Sequence, residues 1–118
     1  MEIAVEHLAN GVKKIMLHGR MDIDGSDDIA LRLASETTLE KANVIIDLSD
    51  VDFMASVGIG LLVKSYKALR LRKGNMVLLN PQKIVELVIE RTQVNTLIPI
   101  HYDLKQACEQ VLQPAPKT

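Results

Sequence analysis

The period of the apolar positions changes several times along the chain, and each change marks an element. Ile3 and Val5 alternate with polar neighbours up to Leu8, and Val12 to His18 carries a second short apolar run centred on Ile15-Met16-Leu17. Between them stands Asn10-Gly11, a dipeptide suited to a tight turn with positive φ. These two runs predict an antiparallel hairpin. Gly19 to Gly25 breaks the pattern and reads as a loop. Ser26, followed by Asp27 and Asp28, supplies a cap and two acids for a first helical turn. Ile29, Leu33 and Ala34 then recur at helical spacing, which predicts a helix near 26–40.

Val44-Ile45-Ile46-Asp47-Leu48 is short, β-branched and apolar, and so predicts a buried central strand. From Ser56 to Arg72 the spacing is helical again, with Ile59, Leu62, Val63, Tyr66 and Leu69 inward and Lys64, Lys67 and Arg70 toward water. Gly74 reads as the stop, and Met76 to Leu79 as a strand. Asn80-Pro81 looks like a cap followed by proline at the first helical position, which predicts a helix over 81–91. Its expected inward stripe is Ile84, Leu87 and Val88, widened by Val85 and Ile89. Leu97 to Ile100 reads as a short strand, placed at a sheet edge by Pro99. Asp103 caps a last helix with Leu104, Ala107, Cys108 and Val111 inward, and 113–118, with two prolines, reads as a flexible tail.

Alternation of strand and helix after the front hairpin implies right-handed crossovers between parallel strands. The expected fold is α/β: one domain over 1–112, with a mixed, mostly parallel sheet of about five strands and about four helices.

Composition narrows the function. With 118 residues, 47% of them hydrophobic and 25% charged, the chain matches an ordinary soluble domain with a single core. A net charge of -1 offers no footprint for nucleic acid. No apolar run approaches the ~18 residues of a membrane span, and the start lacks the layout of a secretory signal. A cytoplasmic location without membrane insertion is the simplest expectation. The single Cys108 makes no internal disulfide, and on an inward helix face it reads as a small hydrophobe. His7, His18 and His101 have no metal-ligand spacing, and neither a nucleophile elbow nor a phosphate loop is present. Neither an enzyme nor a cofactor is expected.

The most informative stretch is Val51-Asp52-Phe53-Met54-Ala55-Ser56-Val57-Gly58-Ile59-Gly60, where a strand gives way to a helix. Ser56 falls at that helix start, either as a plain cap or as a site for anion chemistry at the orphan N–H groups. Gly58 and Gly60 would let another backbone approach this turn closely. Asp47, Asp50 and Asp52 precede the turn, and Asp22 and Asp24 follow the second strand. Both loops would emerge at carboxyl ends of neighbouring strands, where α/β sheets place their sites. Turn formation explains these aspartates by itself; an acidic rim for a partner is the sharper reading.

The run Ile45 to Gly60 resembles the signature of the bacterial anti-sigma factor antagonists of the STAS family, in which a hydrophobic strand leads into Asp-Leu-Ser, a Phe-Met or Phe-Ile pair, and Asp-Ser-Ser/Thr-Gly. Gly19-Arg20-Met21-Asp22 is similar to that family's Gly-Glu-Leu-Asp, and Gly74 to Leu79 to the strand after its switch helix. The resemblance implies a STAS domain in which Ser56 is phosphorylated. It further implies a partner-binding surface of Asp22, Asp24, Asp52, Met54, Ala55, Ser56, Val57, Gly58 and Ile59. The implied partner is an anti-sigma factor with an ATP-using serine-kinase fold, bound by the unmodified form, with a PP2C-type phosphatase resetting the switch. The antagonist itself would be a monomer or a weak dimer. Ala55 stands where the family has aspartate and Val57 where it has a second Ser/Thr. The first departure keeps open an unphosphorylated STAS adaptor of a lipid-transport or sensory assembly. A small-ligand site near Val85 and Ile89 is a third reading, with ordinary helix packing preferred.

Overall fold

The computed structural model describes residues 1–38 and 41–113. The chain runs β1 (Glu2–His7), β2 (Val12–Met21), α1 (Ile23–Thr38), β3 (Asn43–Met54), α2 (Ser56–Leu71), β4 (Asn75–Leu79), α3 (Lys83–Arg91), β5 (Ile100–His101) and α4 (Leu104–Val111). The five strands lie side by side in chain order, β1 antiparallel to β2 and every later pair parallel. This is the mixed α/β sheet with four helices that the pattern predicts. The expected tail 113–118 lies, after Gln113, outside the described residues, as do 39 and 40 at the expected end of the first helix.

Successive residues of a strand face opposite sides, so a strand covered on both faces reads as one apolar run. Ile46 and Leu48 of β3 join Ile15 and Leu17 of β2, Met76 and Leu78 of β4, and the inward residues of α1, α2 and α3 in one core. Ile45 turns the other way and packs with Val12, Val77 and Leu79 against Ala107 and Val111 of α4. The hairpin between β1 and β2 follows expectation: Asn10 and Gly11 take φ of 62° and 75° in a short 3-10 turn over Ala9–Gly11.

Several boundaries differ from the sequence reading. β3 continues to Met54 instead of ending at Leu48, paired there with the end of β2, which itself runs to Met21. From Met16↔Asp47 to His18↔Asp50 and again from Gly19↔Val51 to Arg20↔Phe53, β3 advances one residue more than β2. These two bulges blur the alternation that marks a strand in sequence.

α1 starts at Ile23, not Ser26. Asp22 is its cap, accepting from the Gly25 N–H at 2.8 Å, while Ser26 is buried within the helix. Gly25 is there for space, because a Cβ would lie 1.8 Å from the Arg20 carbonyl oxygen.

α2 ends in a Schellman motif, with the Gly74 N–H on the Leu69 carbonyl (2.8 Å) and the Lys73 N–H on that of Arg70 (3.0 Å). The left-handed residue is Lys73, at φ 63°, and not the glycine. Gly74 instead clears the Ala42 carbonyl oxygen, 2.1 Å from where its Cβ would sit.

α3 begins at Lys83, because Asn80 takes φ 52° and its N–H still extends the sheet to the His101 carbonyl. Its buried residues are Val85 and Ile89, whereas Ile84 and Leu87 are 54% and 42% exposed. The expected stripe was therefore turned about one position around the helix, and Val85 and Ile89 are core, which removes the apolar face of the small-ligand reading. Gln82 Nε2 donates to the Ser49 carbonyl at 2.9 Å and anchors the start of this helix to β3.

β5 is shorter than the expected 97–100 and begins at Ile100, with Leu97 exposed, but it does occupy the sheet edge. Asp103 caps α4 as expected, accepting from the Lys105 N–H at 3.1 Å. Ala107 and Val111 face inward, Cys108 is half-buried, and Leu104 is 38% exposed.

Candidate functional site

The carboxyl ends of β2 and β3 meet the N-termini of α1 and α2. Met21 and Met54 are paired in the sheet, and the Ala55 N–H donates to the Met21 carbonyl at 3.0 Å. That bond sets the chain direction just before α2. Ala55 occupies the cap position with extended backbone and no side-chain cap, and its carbonyl accepts from Gly58 and Ile59 at 3.0 and 3.2 Å.

Ser56 is thus the first residue of α2 and not its cap. Its side chain is exposed and makes no hydrogen bond among the described residues. The Ser56 and Val57 N–H groups have no acceptor among the described residues and lie at the positive end of the helix.

The residues expected at this surface divide by burial. Asp24, Asp52, Ser56 and Val57 are exposed, and Asp22 and Ala55 are half-buried. Met54, Gly58 and Ile59 are buried and hold the turn from beneath. A Cβ on Gly58 would lie 2.7 Å from Met21 Cγ and 3.1 Å from the Met21 carbonyl, so this glycine seats α2 on β2. Gly60 faces open space and has no such role.

Asp47 does not belong to the rim. Its carboxylate lies 3.8 Å from Lys14 and accepts from the Ser49 hydroxyl at 2.7 Å, within the strand. Asp22 is drawn below the ordinary carboxyl range chiefly by the Gly25 N–H, opposed next by burial, with the charge of Arg20 adding a lesser pull downward. It stays ionised beside the turn.

Arg20 is a member of this site that the sequence reading passed over. Its guanidinium lies 4.3 Å from the centre of the Phe53 ring, and its Nε 3.6 Å from Asp22 Oδ2. An exposed cation is therefore held between the Phe53 ring and Asp22. The only sequence signal was its place in Gly19-Arg20-Met21-Asp22. Among the described residues no three His, Cys, Asp or Glu side chains are grouped to hold a metal.

The carboxyl edge of this α/β sheet presents Ser56 at a helix start, backed by buried Gly58 and Met54 and bordered by a hollow of about 350 Å³ between α1 and α2. The STAS domain family matches residues 5–107, and the chain belongs to that family. A curated relative, the anti-sigma F factor antagonist of Paenibacillus polymyxa, is 22% identical over 102 residues, covering 86% of each chain. An anti-sigma factor antagonist from Mycobacterium paratuberculosis superposes with a TM-score of 0.83 at 21% identity, covering 95% of this chain and 94% of that one. The antagonist SpoIIAA matches in its unphosphorylated form (TM-score 0.73, 22% identity, 93% and 96% covered) and in the phosphorylated form from Bacillus (0.66, 21%, 93% and 99%).

Proposed function

We propose that this chain is an anti-sigma factor antagonist. Its unphosphorylated form binds an anti-sigma factor with a serine-kinase fold and releases the sigma factor, and phosphorylation of Ser56 ends that binding. A PP2C-type phosphatase restores the active form. The observation that carries the reading is Ser56 itself: exposed, unbonded and first in α2. A family that includes a Paenibacillus polymyxa anti-sigma F factor antagonist, and a fold solved elsewhere in unphosphorylated and phosphorylated forms, support it.

The physical effect of the modification follows from its place. A phosphate adds a charge of about -1.5 to -2 at pH 7. The free N–H groups and the dipole of α2 accommodate it, so the fold survives. A partner seated on Val57 and the Asp22 and Asp24 rim meets a bulky anion instead of a hydroxyl. Losing ~3–4 kcal/mol of binding lowers affinity a few hundredfold, enough for an off state.

Binding of the anti-sigma factor by titration calorimetry tests this. Ser56→Ala should bind as the parent does, and Ser56→Asp should bind at least tenfold more weakly. Equal binding by both variants would reject phospho-control. Ala55 favours one second reading, an unphosphorylated adaptor in a lipid-transport or sensory assembly, because no carboxylate adjoins Ser56 on its N-terminal side. Intact mass of the protein from its own host, growing and stressed, separates the two: a phosphate on Ser56 whose occupancy changes supports the switch.

A further inference from the structure

Residues 53–85 contain no aspartate or glutamate, yet they hold Lys64, Lys67, Arg70, Arg72, Lys73 and Lys83. All but Lys83 lie on α2 or just beyond its C-terminus, and none of those five makes an ion pair among the described residues. Cations at a helix C-terminus offset its dipole, which accounts for one or two of them. It does not account for the apolar groups among them. Leu71, between Arg70 and Arg72, is 84% exposed, and Leu97 beside it is 41% exposed. The two leucines border a hollow of about 510 Å³ completed by Tyr66, Lys67 and Arg70. Arg70 lines it with its guanidinium 5.9 Å from the centre of the Tyr66 ring, while its Nη1 is buried without a hydrogen-bond partner among the described residues.

We propose that the C-terminal end of α2 docks on the surface of an anionic phospholipid bilayer. A lipid phosphate accepts from Arg70 in the hollow, Lys67, Arg72 and Lys73 meet neighbouring headgroups, and Leu71 and Leu97 dip into the acyl boundary. Charge and apolar contact act together here, as reversible membrane binding requires. No helix among the described residues is long and apolar enough to cross a membrane, so the attachment is peripheral. Ser56 stands at the other end of the same helix, about 24 Å away at 1.5 Å per residue, clear of the bilayer. The docking surface is thus independent of the switch reading.

Co-sedimentation of the full chain with vesicles tests the proposal, comparing pure phosphatidylcholine with a mixture containing about one third phosphatidylglycerol. Binding is expected to the mixed vesicles alone and to disappear at high salt. Arg70→Gln and Lys67→Gln should each weaken it about fivefold, the effect of one basic residue near such a surface. Leu71→Gln should weaken it at low salt too, with an unchanged circular dichroism spectrum, and Ser56→Asp should bind as the parent does. Equal sedimentation with both vesicle types overturns the proposal, as does undiminished binding by the Arg70 and Leu71 variants. Failure to sediment, with polyglutamate instead shifting the Arg70 and Leu71 resonances, also overturns it and assigns the patch to an acidic protein. Saturable binding of inorganic phosphate at Arg70 without vesicle binding reduces it to a free-anion pocket.

Discussion

Single residues in this fold often do a different job from the one their type suggests. Ser26 looks like a cap and is buried; Asp22, assigned to a loop, is the cap, and its carboxyl is held low by the Gly25 N–H and by Arg20. A carboxyl that binds protons less readily when folded contributes stability above its unfolded value of 3.8, and that contribution is lost as pH falls through the lower folded value. Melting temperatures measured from about pH 5 down to 2 should therefore fall less steeply for Asp22→Asn than for the parent. Gly74 looks like the helix stop, but Lys73 holds the left-handed conformation at φ 63°. Lys73→Gly relieves that strain, partly offset by a looser unfolded chain, and should raise stability by about 0.5–1 kcal/mol in urea unfolding. Gly25 reads as a breaker, yet it is required inside α1 because of the Arg20 carbonyl. Gly25→Ala should cost about 3 kcal/mol, the upper range for overpacking, and be visible as a lower urea midpoint. The roles of Gly25 and Gly74 depend on the backbone packed opposite them, the Arg20 and Ala42 carbonyls.

At the scale of elements, legibility followed the number of faces an element buries. β3 is covered on both sides over Val44 to Leu48, and that part was plain as an apolar run; the half beyond, paired only with β2 and bulged twice, was not. α2 has a clear stripe, and its buried Ile59, Leu62 and Leu69 were all expected inward. α3 carries apolar residues at five of nine positions, so two overlapping stripes fit its sequence equally well. A tertiary contact, Gln82 on the Ser49 carbonyl, goes with the rotation that buries Val85 and Ile89. The candidate site was legible to a similar degree. Its position at a strand-to-helix junction could be read, whereas the division into exposed Ser56 and Val57 above buried Met54, Gly58 and Ile59 required the packing of Met21 beneath them.

For the molecule as a whole, the order of elements was readable because α/β alternation constrains handedness and pairing. Net charge was misleading, since -1 conceals a local separation: Asp22, Asp24 and Asp52 at the carboxyl edge of the sheet, and Lys67, Arg70, Arg72 and Lys73 toward the far end of α2. The strand order has a consequence of its own. β1 to β5 lie side by side in the sequence in which they are synthesised. No strand has to wait for a later one and then be pushed between two neighbours. As the chain leaves the ribosome at roughly 5–20 residues per second, each new strand finds a finished edge to join. The sheet can grow during translation, one strand at a time, always at the edge opposite β1.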